Sequence, residues 1–284
     1  MTRLFGVIGH PIDHSLSPPM HTAALRALRV DAIYSAFDVP PTLLRPILRA
    51  FALAGVEGLN VTVPLKEAVI PLLDRVDPTA RAIGAVNTII IRNRRMTGYN
   101  TDGIGFLCAL RELGWHRAGA TRTLLLGAGG AARAVAWELA RLRGHDLTIA
   151  NRHPARAQRL VRWLRRHLPR ARVQASSLSA VRPEDADLIV NSTTIGMRAT
   201  DRPLIELSRL RRGTFVYDLV SHRETALVRE ARRRGCVAAG GLSMLLYQGA
   251  ESLRLWLNRE PPIDEMRQAL RHAIVLSQNS KLKR

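Results

Sequence analysis

Thr123-Leu-Leu-Leu-Gly127-Ala128-Gly129-Gly130-Ala131-Ala132 is the stretch that decides the fold. A run of strand character, 123–126, ends in a glycine turn, and 131–142 reads as a helix. Strand, glycine turn and helix in that order match the dinucleotide-binding fingerprint, with Ala132 in the third glycine position. Gly127 permits the tight turn, Gly129 lets the backbone approach a pyrophosphate, and Ala132 lets the helix pack close to the strand. The phosphates would sit at the helix N-terminus, held by backbone N–H groups and the helix dipole. Gly127, Ala128, Gly129, Gly130 and Ala131 are therefore candidate cofactor contacts. The next strand, 146–150, ends at Asn151-Arg152, where an NAD enzyme carries an acidic residue for the ribose 2′-hydroxyl. Here the carboxylate is missing, and Arg156 follows one helical turn on. A guanidinium suits a 2′-phosphate because its planar fork donates two hydrogen bonds to an oxyanion, so the expected cofactor is NADP(H).

Outward from that turn the pattern repeats. Strands at 187–191 and 214–218, a weak one at 173–175, and helices at 103–113, 154–167 and 225–234 continue the alternation. On the N-terminal side strands fall at 4–8, 32–38 and 58–62, and helices at 18–29, 42–54 and 65–73. Ser17 is the expected N-cap of the first helix, with Pro18 in its first turn. Segments 85–92 and 95–99 read as a hairpin about Asn93-Arg94, and 243–257 and 263–276 as amphipathic helices before a polar tail that should fray. Strands alternating with helices imply an α/β fold with a parallel, doubly wound sheet. The expected division is residues 1–102 plus 243–284 as one α/β domain and 103–242 as a Rossmann-type nucleotide domain.

The 284 residues are 46% hydrophobic and 23% charged, as in an ordinary globular protein. No apolar run approaches the roughly 20 residues of a membrane span, and the N-terminus reads as a strand rather than a signal peptide. Cys108 and Cys236 are in no metal or redox spacing and fit reduced thiols in a cytoplasmic protein. His10 and His14 are separated by Pro11, so no metal site is expected there. The net charge of +20 is spread over the whole length without an aromatic-interleaved basic stripe, which argues against a specific nucleic-acid partner. A homodimer is an open expectation.

Of 43 basic residues only Lys66, Lys281 and Lys283 are lysine. Arginine cannot release its proton in a protein and lysine can. A lone internal lysine in an arginine-rich chain therefore marks a need for a titratable ammonium. It ends Asn60-Val-Thr62-Val-Pro-Leu-Lys66, near other small polar groups at element ends: Ser15 and Ser17, Asn87-Thr88, and Asn100-Thr-Asp102.

These motifs resemble the shikimate dehydrogenase family. The matching stretches are Ser15-Leu-Ser17-Pro, Asn60–Lys66, Gly84-Ala-Val-Asn87-Thr, Gly98-Tyr-Asn-Thr-Asp102-Gly, Gly127–Ala131, Asn151-Arg152, Asn191-Ser-Thr-Thr-Ile-Gly-Met197 and Gly241-Leu-Ser-Met-Leu-Leu-Tyr-Gln248. They run in family order over nearly the whole chain. The resemblance implies NADPH-dependent reduction of 3-dehydroshikimate to shikimate, a step of aromatic amino-acid biosynthesis. It implies Lys66 and Asp102 as a catalytic pair, with Ser15, Ser17, Thr62, Asn87 and Gln248 holding the substrate. His153, Leu219, Ser221 and Gly241 join Asn151, Arg152 and Arg156 as implied cofactor contacts. The implied fold is an N-terminal substrate domain, completed by the C-terminal helices, beside a Rossmann domain with a cleft between them. Three positions depart from the family pattern: His153 replaces a threonine, Ser221 a tyrosine and Arg223 a proline. The alternatives are a quinate/shikimate dehydrogenase paralogue with relaxed substrate or cofactor choice, and a non-enzymatic basic ligand- or nucleic-acid-binding protein.

Overall fold

The computed structural model describes residues 2–13, 15–116 and 120–282. The chain divides into two compact units, Met1–Gly105 with Leu246–Arg284, and Phe106–Leu245. In chain order the first unit holds β1 (Arg3–Gly9), α1 (Ser17–Ala27), β2 (Ala32–Asp38), α2 (Leu44–Leu53), β3 (Val56–Val61), α3 (Leu65–Ala68), β4 (Arg75–Val76), α4 (Pro78–Ile83), β5 (Thr88–Arg92) and β6 (Arg95–Tyr99). The chain passes into the second unit within α5 (Asp102–Glu112). There follow β7 (Thr121–Leu126), α6 (Gly130–Arg141), β8 (His145–Asn151), α7 (Pro154–His167), β9 (Arg172–Ser177), β10 (Leu188–Asn191), β11 (Phe215–Asp218), α8 (Ala226–Arg233) and β12 (Val237–Ala239). It returns within α9 (Leu242–Leu257) and ends in α10 (Ile263–Leu282).

The sheet of the first unit has the order β2-β1-β3-β5-β6-β4. β1 runs parallel to β2 and β3, but β5 is antiparallel to both β3 and β6. The sheet is therefore mixed, and its antiparallel part includes the hairpin expected about Asn93-Arg94. Asn93 and Arg94, with φ of 51° and 62°, make a two-residue turn that can only reverse the chain. β4 and α4 are additional to the elements read from sequence. Helix α1 also begins differently: Ser17 is its first residue, and its hydroxyl makes no capping bond. Pro19 removes one of the two N–H groups that a cap at Ser17 could serve. Instead the Ser17 N–H donates to Ser15 Oγ over 3.3 Å.

Trp256 of α9 locks this unit together. Its indole Nε1 donates to the Ile89 carbonyl at 3.0 Å, and its ring lies 5.2 Å from that of Phe5. Gly58 makes the room, since a Cβ there would stand 2.4 Å from the indole nitrogen.

The second sheet is parallel throughout, in the order β12-β11-β10-β7-β8-β9. Its order reverses between β7 and β10, the switch point where such sheets bind ligands at strand C-termini. β12 adds a strand not read from sequence. α10 continues to Leu282, where a helix ending at 276 and a frayed tail were expected, because no glycine or proline interrupts 263–282. No helix among the described residues is long and apolar enough to cross a membrane.

Candidate active site

The polar groups of the first unit converge from α3, α5, α9 and the stretch just before β5. The Lys66 ammonium, on α3, donates to Asp102 Oδ2 at 2.6 Å. Asp102 opens α5, and its own N–H is held by Asn100 Oδ1 at 3.1 Å. The side chains of Lys66 and Asp102 are only 18% and 6% exposed, so the ion pair is poorly screened by water. Asn87 Nδ2 donates to the other carboxylate oxygen, Asp102 Oδ1, at 2.8 Å, and lies 3.2 Å from Gln248 Oε1. Asn87 cannot flip: its Oδ1 accepts the Thr101 backbone N–H at 2.8 Å, which is a donor only. The Val86 N–H bonds to the Lys66 carbonyl at 2.9 Å and ties α3 to the Asn87 stretch. Gln248 enters because Gly105 lets α9 approach α5; a Cβ there would lie 2.6 Å from the Gln248 nitrogen.

Lys66, Asp102, Asn87 and Gln248 are thus joined by direct contacts. Ser15, Ser17 and Thr62 are placed by topology. Ser15 lies in the β1–α1 connection and Thr62 just past β3, the strand next to β1. These two strand ends are tied by Thr62 N–H to the Ile8 carbonyl and His10 N–H to the Val63 carbonyl. His10 Nδ1 lies 2.8 Å from Asp38 Oδ1, and His14 lies outside the described residues. Thr101, a buried residue that motif reasoning passes over, donates its hydroxyl to the Gln248 carbonyl at 3.0 Å and so positions α9.

In the second unit the glycine turn follows β7. Gly127 has φ 115°, a conformation that glycine alone adopts without strain, and a Cβ would strike Ser192 Oγ at 2.5 Å. Gly129 precedes α6, whose N-terminus has no side-chain cap, and nothing lies within 4 Å of where its Cβ would stand. This leaves a cradle of backbone N–H groups, open at Gly129, Gly130 and Ala131, that fits a pyrophosphate. Ala132 is fully buried against the sheet. Past β8, Asn151 Oδ1 accepts the His153 N–H at 2.8 Å, which shapes the turn that carries Arg152 and leads to Arg156. Arg152, His153 and Arg156 are all exposed, and no carboxylate pairs with either arginine among the described ion pairs. That donor set fits a 2′-phosphate. Leu219 and Ser221 follow β11, and Gly241 follows β12. A Cβ on Gly241 would stand 2.2 Å from the Leu219 carbonyl oxygen, so this approach also requires glycine. All the expected cofactor contacts therefore lie beyond strand C-termini of one parallel sheet.

Three family models match the chain. Residues 7–89 match the shikimate dehydrogenase substrate binding domain, 109–223 the shikimate/quinate 5-dehydrogenase model, and 241–271 the shikimate 5′-dehydrogenase C-terminal domain. The chain is 48% identical over 279 residues to a shikimate dehydrogenase (NADP(+)) of Moorella thermoacetica, covering 96% of this chain and 94% of that one. It superposes with a TM-score of 0.86, at 38% identity, on shikimate 5-dehydrogenase from Thermus thermophilus in complex with NADP(H) and shikimate, covering 96% of this chain and 100% of that one. Quinate dehydrogenase from Corynebacterium glutamicum in complex with NAD matches with a TM-score of 0.87 at 34% identity, over 94% of this chain and 98% of that one.

Proposed function

The chain belongs to the shikimate dehydrogenase family, and from that premise we propose that it catalyses the reversible, NADP-dependent reduction of 3-dehydroshikimate to shikimate. The observation that carries the proposal is the half-buried Lys66 ammonium held 2.6 Å from Asp102. NADPH, when bound, supplies a hydride to the ketone carbon. Negative charge then develops on the ketone oxygen. Lys66 Nζ stabilises that charge and delivers the proton. In the oxidation direction a neutral Lys66 accepts the alcohol proton, which a guanidinium does not do. Asp102 orients the amine through Oδ2, and Asn87 holds the carboxylate through Oδ1. Ser15, Ser17, Thr62, Asn87 and Gln248 bind the substrate carboxylate and hydroxyls. Gly127 to Ala131 take the pyrophosphate, Arg152 and Arg156 the 2′-phosphate, with Asn151 and His153 shaping that turn. Leu219, Ser221 and Gly241 line the nicotinamide end.

A second reading, relaxed choice between shikimate and quinate or between NADP and NAD, is favoured by one observation: Ser221 is far smaller than the tyrosine expected there. A purely binding role leaves the Lys66–Asp102 pair without a purpose. Neither cysteine is in a disulfide among the described residues, which fits a cytoplasmic setting, and a homodimer completes the proposal. The test is consumption of NADPH by the purified protein with 3-dehydroshikimate. Steady turnover supports the reading, and no turnover at any substrate concentration overturns it.

A further inference from the structure

Behind the Lys66–Asp102 pair a line of buried polar groups runs to β2, the edge strand of the first unit's sheet. Tyr34 OH lies 2.7 Å from Asn60 Oδ1, Asn60 Nδ2 2.9 Å from Ser252 Oγ, and Ser252 Oγ 2.7 Å from Thr88 Oγ1. Thr88 Oγ1 lies 3.0 Å from Asn87 Oδ1, and Asn87 Nδ2 2.8 Å from Asp102 Oδ1. From Tyr34 to Asp102 no member is more than 5% exposed, so water does not substitute for any link.

The orientation of the two amides follows from fixed backbone groups. Asn60 Nδ2 also faces the Asn87 carbonyl at 3.3 Å, an acceptor only, so Asn60 Oδ1 faces Tyr34 and Tyr34 must donate. The Thr101 N–H fixes Asn87 Oδ1 in the same way, so Asn87 Nδ2 points to Asp102. Between the two amides, Thr88 Oγ1 lies 3.0 Å from Asn87 Oδ1, which only accepts, and 2.7 Å from Ser252 Oγ, where either hydroxyl can donate. Ser252 Oγ also lies 2.9 Å from the Gln248 carbonyl, which can accept from it as well as from Thr101, so the one Ser252 proton can serve either partner. With the Ser252 proton on Thr88 and the Thr88 proton on Asn87, every donor in the line points toward the Asp102 carboxylate.

We propose that this head-to-tail arrangement is the one populated, and that Tyr34, Asn60, Ser252 and Thr88 are positioning residues that act on the Lys66 proton through it. Aligned bonds in a water-free interior polarise one another. The line draws charge onto Oδ1 of Asp102 and makes Oδ2 less basic. Less of the ammonium proton's stabilisation then comes from Asp102, and Lys66 gives it up more readily. The titratable groups in the line or in contact with a member of it are Lys66 on α3, Asp102 on α5, Tyr34 on β2 and His21 on α1. The His21 ring is stacked on Tyr34 with centroids 4.3 Å apart. Burial lowers His21 to about 3 and pushes Tyr34 well above its ordinary range, so neither changes charge across a neutral to alkaline profile.

This inference rests on the dehydrogenase reading above. Its test is the pH profile of kcat for shikimate oxidation in the parent, Tyr34→Phe, Thr88→Val and Thr88→Ser. Removing a donor makes Asp102 Oδ2 more basic, so the limb that requires neutral lysine moves to higher pH. The expected shift is about 0.3 pH units for Tyr34→Phe and about 0.5 for Thr88→Val. Thr88→Ser keeps the hydroxyl and should keep the parent profile. KM for shikimate should stay within about twofold in all three. Unmoved profiles in an active Tyr34→Phe and Thr88→Val would overturn the proposal, as would an equal shift in Thr88→Ser. If Thr88→Val does not fold, Tyr34→Phe, which keeps the ring stack, decides alone. An inactive parent would sink the dehydrogenase reading instead, so the two failures are distinguishable.

Discussion

Replacing Lys66 by arginine separates charge from proton transfer. The parent ammonium sits 2.6 Å from Asp102 Oδ2 with its side chain 18% exposed, so a guanidinium can keep the positive charge and the ion pair at this position. What it loses is the ability to give up and take back a proton. General acid–base catalysis contributes typically 10²–10⁴ in rate, which is roughly 3–5 kcal/mol of barrier. Lys66→Arg should therefore lower kcat for shikimate oxidation by about 10²–10⁴, with KM for shikimate within about threefold. The assay is the initial rate of NADPH formation over a range of shikimate concentrations at saturating NADP+, with circular dichroism to verify the fold. Because the alcohol proton must then leave by water, the residual rate should rise with pH without levelling off at the parent's limb. A variant with kcat within about threefold of the parent would refute the proton-transfer role and leave Lys66 as a point charge.

Arg152→Gln removes an exposed guanidinium from the turn after β8 and should raise KM for NADP+ by about 10–100-fold while leaving NAD+ use unchanged, read from paired cofactor titrations. His21 is fully buried and its pKa is lowered from 6.5 to about 3 by desolvation. As pH falls below 6.5 the unfolded chain takes up a proton that the folded one refuses, so stability is present above that pH and is lost toward pH 3. At pH 5 the loss should be roughly 2 kcal/mol, and His21→Phe should flatten this slope in urea titrations at several pH values. Gly58→Ala places a Cβ 2.4 Å from the Trp256 indole and should destabilise by about 1–3 kcal/mol, seen as a lower Tm.

Features set by local chemistry were legible in the sequence. The Gly127 turn needs a positive φ, and glycine at that spacing announces it. α7 matches its expected bounds because Pro154 opens it and Pro169 follows its end. α4 was equally readable and was passed over: Asp77 Oδ1 caps the N–H groups of Thr79 and Ala80, and Gly84 closes it with φ 71°. The order of the first sheet was not readable, because pairing of β3 with β5 joins segments whose partnership no periodicity records. The Lys66–Asp102 pair was suggested by composition and by family resemblance, and its geometry adds the third member, Asn87, with an orientation set by a backbone N–H. Of the line behind it, Asn60 and Thr88 fall within motifs, but Tyr34 and Ser252 carry no sequence signal. Asn60 and Ser252 lie 192 positions apart, and a serine inside an amphipathic helix looks like any other.

The most direct measurement compares kcat/KM for shikimate and quinate with NADP+ and NAD+ in all four combinations. The account predicts that shikimate with NADP+ exceeds each of the other three by at least about tenfold, the size of one lost charge-assisted or buried hydrogen bond. Quinate with NAD+ turned over as well as shikimate with NADP+ would contradict it.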